Sequence, residues 1–425
     1  MRITEFMFKA AALGCALALV GTVHAQSLLP AGEGDLTATR LDEGLRAQEW
    51  TSIHAESAAL NYQRSLLNAP LAKPGLAAAS LQIAAPTPGL DRTRIAESRQ
   101  YYIDTDGAEL GRGIELPLTA PGAVIRVSAA GNASLSLDNV GLRHNGRDVR
   151  ALGFTEASAT GASLRGAGWS VPENTIAFRL DKRVGAGTLG LVVDGLRSDQ
   201  PVLVHVFEPD SPYVARLELN RQAFLAGQTL EAALVVHHPG GQIIPRAAGM
   251  MLRGDEDAIG NSMRPRAADG VWEITTAARA AEVPGTLHEV QTHVDTVING
   301  IRVRRDLSQA VAIAPAMARL TGDVEIRREA GLNLALGVET ALQGRYQLRG
   351  TLYASDKRGQ LQPVALAESA AVLEAGRGHL GLQFDLDAAR NAGYGAPFEL
   401  RDLSLFDQGR LLLLEQRAVG LSVAD

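Results

Sequence analysis

Histidine side chains are the first candidates for metal chemistry in this sequence. His237 and His238 are adjacent and precede a Pro-Gly-Gly loop, while His288 and His293 lie in one predicted strand at an odd separation. On a strand, side chains at odd separations point to opposite faces, so neither pair can share an ion without a bend in the backbone. No H-E-x-x-H pattern or other short ligand spacing occurs. The sequence therefore predicts no metal site.

Two acidic segments resemble calcium ligands. If Gly107 of the Asp104–Gly107 segment took the sixth position of an EF-hand loop, the first and twelfth positions would be Tyr102 and Gly113, which have no carboxylate. We therefore expect Asp104–Gly107 to be a turn that opens the first strand. The second acidic group consists of Asp255, Glu256, Asp257, Asn261 and Asp269. A solvent-exposed loop is the favoured interpretation of this group, with a calcium site as the alternative.

Nucleophilic catalysis has no clear signature. The segment Gly161–Gly166, with Ser163, is one residue away from G-x-S-x-G, and no helical pattern follows it. The Gly111-x-Gly113 pair precedes a β pattern, so it is not a nucleotide-binding loop. Paired carboxylates for glycoside cleavage stay open because such partners can be far apart in the chain. The sequence predicts no catalytic residue, no metal ligand and no cofactor, and it favours a protein that is not an enzyme.

Aromatic residues make up only 4% of the chain, which argues against a stacking platform for glycans or nucleic acid. Trp169 lies in a predicted loop, where its ring could contact a ligand, whereas Trp272 is expected in a core with Ile274. A carbohydrate-binding surface would need a strip of exposed rings. The tyrosines considered for such a strip are Tyr101, Tyr102, Tyr213, Tyr346, Tyr353 and Tyr394.

The first residues predict export. Arg2 and Lys9 give a positive start, an apolar run from Ala10 to Val23 follows, and Val23-His24-Ala25 forms a small-x-small cleavage site before Gln26. We predict a signal peptide at residues 1–25 and a periplasmic or extracellular protein. The apolar run is shorter than the roughly 20 residues that span a bilayer, so no transmembrane segment is predicted. Cys15, the only cysteine, lies in the signal peptide, and a net charge of −6 provides no basic surface for nucleic acid.

Residues 26–100 are predicted to form a helical arm and a linker. Leu41 and Leu45 are four residues apart, and further apolar residues up to Leu67 continue at roughly helical spacing, which predicts a helix within Asp35–Leu67. Residues 69–90 contain Pro70, Pro74, Pro86 and Pro88 among alanines, a composition typical of a semi-rigid linker.

After Tyr101 the apolar residues alternate with period two, which indicates β-strands. Residues 123–128, 134–138 and 175–180 show this alternation. Residues 189–193 and 202–207 are more continuously apolar, which predicts strands that are covered on both faces. Asn145-Gly146 and Asn299-Gly300 predict two hairpins, since Asn-Gly suits the positive φ angles of a type I′ turn. We predict an all-β fold of tandem β-sandwich modules at residues 101–211, 212–315 and 316–425, the middle one immunoglobulin-like.

Three segments carry a resemblance to a known family. Residues 111–127, 344–353 and 395–403 have the sequences GRGIELPLTAPGAVIRV, GRYQLRGTLY and GAPFELRDL. Through them the chain resembles, from about residue 100 to residue 425, an uncharacterised secreted proteobacterial family, the domain of unknown function 4785. The resemblance implies three β-sandwich modules with an immunoglobulin-like one in the middle. It implies no activity, and it assigns no functional residue.

The function expected from the sequence is non-catalytic. We expect an exported binding or scaffolding protein whose partner is a protein or an envelope component, with an oligomeric state that the sequence leaves open. Sandwich modules bind partners through their end loops or at exposed strand edges. The alternative is a secreted hydrolase or a carbohydrate-binding protein that uses an interdomain cleft.

Overall fold

The chain folds into antiparallel β-sheets joined by short helices and turns, which confirms the all-β prediction. The structure is a computed structural model that describes residues 24–42, 60–67, 95–131, 135–144, 147–245, 248–254, 260–266, 269–276, 287–328 and 331–424. Three hydrophobic cores organise the described residues, and each lies between two facing sheets. Among these residues no helix has the length and apolar character needed to cross a membrane.

The N-terminal region forms strands where it is described. They are β1 (His24–Ser27), β2 (Leu60–Ser65) and β3 (Ile95–Ser98). The helix predicted within Asp35–Leu67 is therefore wrong over Leu60–Ser65, and residues 35–42 are not helical either. The side chains from Asn61 to Ser65 are exposed, so β2 is held by backbone pairing with a distant strand, which helical spacing does not reveal. The predicted linker at residues 69–90 lies outside the described residues.

Module 1 is a two-sheet sandwich built from nine strands. They are β4 (Gln100–Asp106), β5 (Ile114–Leu118), β6 (Val124–Ala129), β7 (Val140–His144), β8 (Arg147–Arg150), β9 (Thr155–Thr160), β10 (Thr175–Leu180), β11 (Gly187–Val193) and β12 (Pro201–Phe207). One sheet has the order β4-β12-β6-β10-β9, and the other has the order β5-β11-β7-β8. The helices α1 (Gly107–Arg112) and α2 (Gly161–Gly166) lie between strands. The strands predicted at residues 123–128, 175–180, 189–193 and 202–207 are confirmed. The expectation that residues 189–193 and 202–207 are covered on both faces is wrong, because buried residues alternate with less buried ones along β11 and β12.

The strand predicted at residues 134–138 is wrong in its described part. Leu137–Asn139 forms a 3₁₀ turn, and the Ser136 side chain accepts a hydrogen bond from the Asp138 N–H at the start of that turn. Serine caps compete with strand pairing by satisfying the backbone locally, so the Ser-Leu-Ser-Leu alternation was misleading.

Module 2 has the strand arrangement of an immunoglobulin-like sandwich. Its strands are β13 (Val214–Leu219), β14 (Ala223–Leu225), β15 (Thr229–His238), β16 (Gly241–Ile243), β17 (Ala248–Arg253), β18 (Asn261–Ser262), β19 (Arg264–Pro265), β20 (Val271–Thr275), β21 (Leu287–Ile298) and β22 (Ile301–Ala314). The sheet β19-β20-β15-β13 faces the sheet β14-β22-β21-β17-β18, which corresponds to the ABED and GFC sheets of that fold. Asn299 and Gly300 have φ angles of 52° and 81°, which confirms the predicted hairpin turn between β21 and β22.

Module 3 contains the largest core. Its strands are β23 (Ala318–Arg327), β24 (Leu332–Thr340), β25 (Gly344–Ser355), β26 (Leu361–Leu373), β27 (Gly376–Phe384), β28 (Gly395–Asp407) and β29 (Leu412–Val423), with the short helix α3 (Asp387–Asn391) before β28. The sheet β23-β24-β27 faces the sheet β26-β25-β28-β29. Alternate apolar side chains of both sheets fill the space between them.

The N-terminal strands complete the edges of modules 2 and 3. β1 pairs with β23, β2 pairs with β26, and β3 pairs with β13. Between the first two, Leu36 is buried in the module 3 core and exchanges both backbone hydrogen bonds with Gln416. The buried Asp35 carboxylate accepts hydrogen bonds from the backbone N–H groups of Gly32 and Ala418, both at 2.8 Å. The arm is thus an integral part of module 3, because unpaired strand edges would otherwise be exposed.

A buried ion pair joins modules 1 and 2. Arg305 on β22 and Glu208 after β12 are both fully buried, with 2.9 Å between Nη1 and Oε2. Arg305 also donates to the Tyr213 and Arg304 carbonyl oxygens and to the hydroxyl oxygens of Thr119 and Ser211. Burial lowers the pKa of the Arg305 guanidinium, and the Glu208 carboxylate opposes that shift.

The Glu208 carboxylate is satisfied from module 1. Its Oε1 accepts hydrogen bonds from the backbone N–H groups of Thr119 at 2.5 Å and Ala120 at 3.1 Å, and its Oε2 accepts one from the Thr119 hydroxyl at 2.9 Å. The neighbours of Arg305 extend the contact. The Arg304 guanidinium lies 5.4 Å from the centre of the Tyr101 ring, and the Asp306 carboxylate accepts the Tyr102 N–H at 2.6 Å. Three consecutive residues of β22 thus attach module 2 to module 1.

Replacing Leu36 with Ala should destabilise module 3. The substitution removes a fully buried side chain from the core and leaves a cavity, which costs about 2–5 kcal/mol of unfolding free energy. Denaturant unfolding followed by circular dichroism measures the loss, and hydrogen exchange should show faster opening of β29. Leu29→Ala is the matched control, because Leu29 is an exposed leucine of the same segment. Equal stabilities of the two variants would contradict the assignment of the arm to the core.

Replacing Glu208 with Ala should weaken the joint by about 3–5 kcal/mol, because it leaves the Arg305 charge buried and unpaired. The double variant Glu208→Leu, Arg305→Met should recover most of the loss, since it removes both charges. Glu231→Ala is the control: its ion pair with Arg266 is exposed, and its loss should cost less than about 1 kcal/mol. Chemical denaturation measures all three. A single variant as stable as the control would refute the role of the pair.

Candidate functional site

An open cleft of about 1040 Å³ lies on the outer face of the five-stranded sheet of module 1. Strands β4, β6 and β12 form its floor, because their alternate residues point away from the module 1 core. Asp104, Arg126, Ser128 and Leu203 line this floor. The segment 170–174 forms a wall, and the turn at residues 129–131 lies beside it, since the Ala129 N–H donates to the Asn174 carbonyl oxygen.

The strand register sets the positions on the floor. Leu203 of β12 lies opposite Asp104 on one side and opposite Ser128 on the other. His205, two residues further along β12, lies between Tyr102 and Arg126 in the same way. Asp104 and Arg126 are therefore on the two strands that flank β12, and their positions differ by two residues along it.

The two charged side chains of the floor have no partner within the part of the chain that the structure describes. Neither the Arg126 guanidinium nor the Asp104 carboxylate makes a hydrogen bond or an ion pair there. The Ser128 hydroxyl, by contrast, is 3.0 Å from the Thr175 hydroxyl and is satisfied by it. The floor of the cleft thus presents one cation and one anion that can bind a ligand.

His205 is fixed beside Arg126 and stays neutral. Its ring stacks on Tyr102 with 4.5 Å between centroids, and its Nε2 lies 3.0 Å from the Gln100 Oε1. Burial and the charge of Arg126 lower the pKa of His205 to about 4, with Asp306 opposing the shift. At neutral pH the imidazole therefore adds no second positive charge next to Arg126.

Trp169 lies in the loop between helix α2 and the wall segment 170–174. The Thr160 side chain and the Ser163 hydroxyl form a capping box at the start of α2. Gly161 is required there, since a Cβ at this position would lie 2.2 Å from the Glu173 carbonyl oxygen. This close approach holds α2 against the wall segment. Trp169, next to Ser170 of the wall, is 62% exposed, as expected for a ring that could contact a ligand.

The histidine pairs of the sequence do not form a metal site. His288 is buried and His293 exposed on β21, so they point to opposite faces as predicted. His293 Nδ1 instead lies 2.5 Å from the Asp306 Oδ1. His237 and His238 end β15, where the ring of His238 stacks on Tyr213 and its Nδ1 accepts the Gly240 N–H. Within the described ranges no group of three or more His, Cys, Asp or Glu side chains is arranged to hold a metal ion.

The acidic segments take structural positions where they are described. Asp106 caps α1 by accepting the Glu109 N–H at 2.8 Å. Asp104–Gly107 therefore ends β4 and begins α1, which corrects the predicted turn before the first strand. Asp269 accepts the Val271 N–H at 3.1 Å and pairs with Arg266, and these contacts lower its pKa. Residues 255–257 lie outside the described residues.

Ser163 does not have the geometry of a nucleophile, although it does lie in a helix that the sequence pattern failed to predict. Its hydroxyl is bonded to the Thr160 backbone, and the helix ends at Gly166 after a single turn and a half. Gly113 ends α1 with a φ of 98° and leads into β5, in agreement with the expected β pattern.

The aromatic residues form no continuous exposed strip among the described positions. Tyr101, Tyr213, Tyr346 and Tyr353 are buried, and burial raises the pKa of Tyr101. Trp272 packs partly buried against the module 2 core, as expected. Tyr62, which was not considered in the sequence analysis, is 55% exposed on β2. Trp50 lies outside the described residues.

Sequence analysis missed Asp104 as a cleft residue, and it missed Arg126 altogether. Both occupy outward positions of correctly alternating strands, so a signal was present: Arg126 interrupts an otherwise apolar or small run. That signal does not distinguish a ligand-binding charge from an ordinary solvent-exposed one.

His205 should make the folded state sensitive to acid. Because its folded pKa is about 4 and its ordinary value is 6.5, the unfolded chain takes up the proton first, and stability falls as the pH drops through this range. We expect His205→Gln to reduce the loss of unfolding free energy between pH 7 and pH 4 by on the order of 2 kcal/mol. Urea unfolding at both pH values measures this. The exposed His379 provides the control His379→Gln, and an identical pH dependence in both variants would contradict the prediction.

Comparisons with known proteins agree with this architecture. Residues 68–208 match the model of the N-terminal domain of the DUF4785 family, a domain of unknown function, and residues 317–422 match the model of its C-terminal domain. No match was found among curated proteins. The crystal structure of a DUF4785 family protein from Legionella pneumophila superposes with a TM-score of 0.67 and 16% identity, over 93% of this chain and 99% of that chain. At this identity the similarity concerns the fold. The two family models together cover more than half of the sequence, and the chain belongs to the DUF4785 family.

Proposed function

We propose that this chain is an exported, non-catalytic binding protein that takes its ligand in the module 1 cleft. The observation that carries the proposal is the floor of that cleft, where Asp104 and Arg126 have no partner within the described residues. Charged groups at the floor of a concave site are usual in ligand sites, because they orient a bound molecule. The partner we favour is a protein or an envelope component.

Export is supported by the leader pattern of residues 1–25, with its basic start, apolar run and Val23-His24-Ala25 site. Gln26 and Ser27 pair with Val324 and Asp323, so cleavage after Ala25 would leave this end of the chain attached to module 3.

The arrangement of the cleft favours binding over catalysis. Nucleophilic catalysis needs a nucleophile within hydrogen-bond distance of a base. Of the described groups at the cleft, the Ser128 hydroxyl contacts Thr175, and His205 is engaged by Gln100 and Tyr102. The oppositely charged Asp104 and Arg126 are on strands separated by β12, so they suit two ends of a ligand rather than one reacting atom.

Carbohydrate binding is the second candidate, and the exposed ring of Trp169 beside the cleft favours it. An indole face can stack on a sugar ring, with the charged and hydroxyl groups of the floor as hydrogen-bond partners. A secreted hydrolase is the further alternative.

A retention experiment tests the proposal. Purified protein is immobilised and exposed to an envelope extract of a Gram-negative bacterium, and retained molecules are eluted and analysed by mass spectrometry. We expect the wild type to retain a ligand of unchanged mass, and the double variant Asp104→Asn, Arg126→Gln to lose it. The control Arg327→Gln changes an exposed arginine of module 3 and should retain as much as the wild type. Retention that is equal in all proteins, or products that accumulate with time, would refute the proposal.

A further inference from the structure

Building on the proposed binding function, we propose that the module 1 cleft binds a short zwitterionic peptide of three or four residues, with its free ammonium group at Asp104 and its free carboxylate at Arg126. This assignment names a class of ligand and a direction of binding. It follows from the spacing of the two charges, from the surface between them and from the charge of the neighbouring groups.

The spacing of the two strand positions that carry the charges fits a peptide of this length. β12 lies between β4 and β6, so Asp104 and Arg126 are two strand spacings apart, about 10 Å, and their register differs by two residues of β12, about 7 Å. Their Cα atoms are therefore about 12 Å apart. An extended peptide advances about 3.3–3.6 Å per residue, so three or four residues cover this distance.

The surface between the charges suits the body of such a peptide. Leu203 is the apolar centre of the floor, and the wall adds Val171 and Pro172. The Ser128 hydroxyl is already hydrogen-bonded to Thr175, so a ligand does not have to supply a hydrogen bond to it. Small apolar side chains can pack here.

The charges near each end agree with the proposed direction. Among the residues paired across the sheet with His205, Arg126 carries the positive charge, because His205 itself is neutral at physiological pH. Asp104 lies on the other side of β12 from Arg126, two residues away in register, so the two ends of the proposed peptide meet opposite charges. The peptide ammonium group pairs with the Asp104 carboxylate, and the peptide carboxylate pairs with the Arg126 guanidinium.

A neutral ligand fits the cleft less well. The hydroxyl groups of an uncharged oligosaccharide can hydrogen-bond Asp104 and Arg126, but they supply no opposite charge to either residue. A zwitterionic peptide pairs both. The phosphoethanolamine headgroup of a lipid also carries both charges, but its two groups are too close together to reach both residues at once.

Isothermal titration calorimetry with tetra-alanine tests the inference. The peptide with two free ends is compared with its N-acetylated form and its C-amidated form. We expect each modification to weaken binding by about 10- to 100-fold, since each removes one charged hydrogen bond. The comparison requires no protein variant, so it does not depend on whether a variant folds.

Two variants assign each end to its residue. Asp104→Asn should bind the free peptide as weakly as the wild type binds the acetylated one, and acetylation should then cost little more. Arg126→Gln should show the same relation to amidation. Such non-additive losses identify direct partners. The control Arg216→Gln, on module 2, should bind like the wild type, and unchanged circular dichroism should verify that the variants are folded.

A length series completes the test. We expect affinity to rise from di-alanine to tri- and tetra-alanine and then to stay level or fall. Equal binding of free and blocked peptides overturns the inference. Binding of chitotetraose or of phosphatidylethanolamine vesicles, lost in both variants, would overturn it in favour of a sugar or a lipid. If no peptide binds while the cleft variants still abolish retention from the envelope extract, the ligand class is wrong and the binding function stands; if both fail, the binding function fails as well.

Discussion

The buried pair of Arg305 and Glu208 is the interaction on which the arrangement of modules 1 and 2 depends. Both charges are removed from water, and every donor of the guanidinium and both oxygens of the carboxylate have partners. The partners come from both modules, so the network is complete only when β22 lies against the ends of β5 and β12. An incomplete network would leave a buried charge unsatisfied, and this makes intermediate positions of the modules unfavourable.

The same joint supports the cleft. Asp306, next to Arg305, accepts the Tyr102 N–H, and Tyr102 stacks on His205, which lies between it and Arg126 across the sheet. β4 and β12 therefore serve the module contact at one end and the cleft floor along their outer face. β3 strengthens this connection, because it pairs with β13 of module 2 immediately before the chain enters β4. We infer that the cleft owes its fixed floor to the attachment of module 2.

Local sequence predicted the fold well where pairing is local. The alternation of β6 and β10, and the Asn299-Gly300 turn, follow from side-chain period and turn chemistry alone. The helix prediction for the N-terminal arm was wrong because β1 and β2 pair with strands that are distant in the chain, β23 and β26. β2 has exposed side chains and depends on backbone pairing with the edge strand β26. The helical spacing of a few leucines cannot predict pairing with a distant edge strand. The strand prediction at residues 134–138 was wrong for the opposite reason: a local serine cap begins the 3₁₀ turn at Leu137–Asn139.

The candidate site was harder to predict, because charged residues in strands have the same local appearance whatever they face. Arg126 in Val124–Ala129 and Arg305 in Ile301–Ala314 are both arginines within strands of apolar and polar residues. One lies open in a cleft with no described partner, and the other is fully buried with five donated hydrogen bonds. The difference arises because the contact between modules 1 and 2 buries Arg305 but leaves Arg126 uncovered. That contact joins residues far apart in the chain. The role of a charged residue in a strand can be interpreted only when the surface that faces it is known. Arg305 faces module 1 and joins the two modules, whereas Arg126 faces the open cleft, where it can bind a ligand.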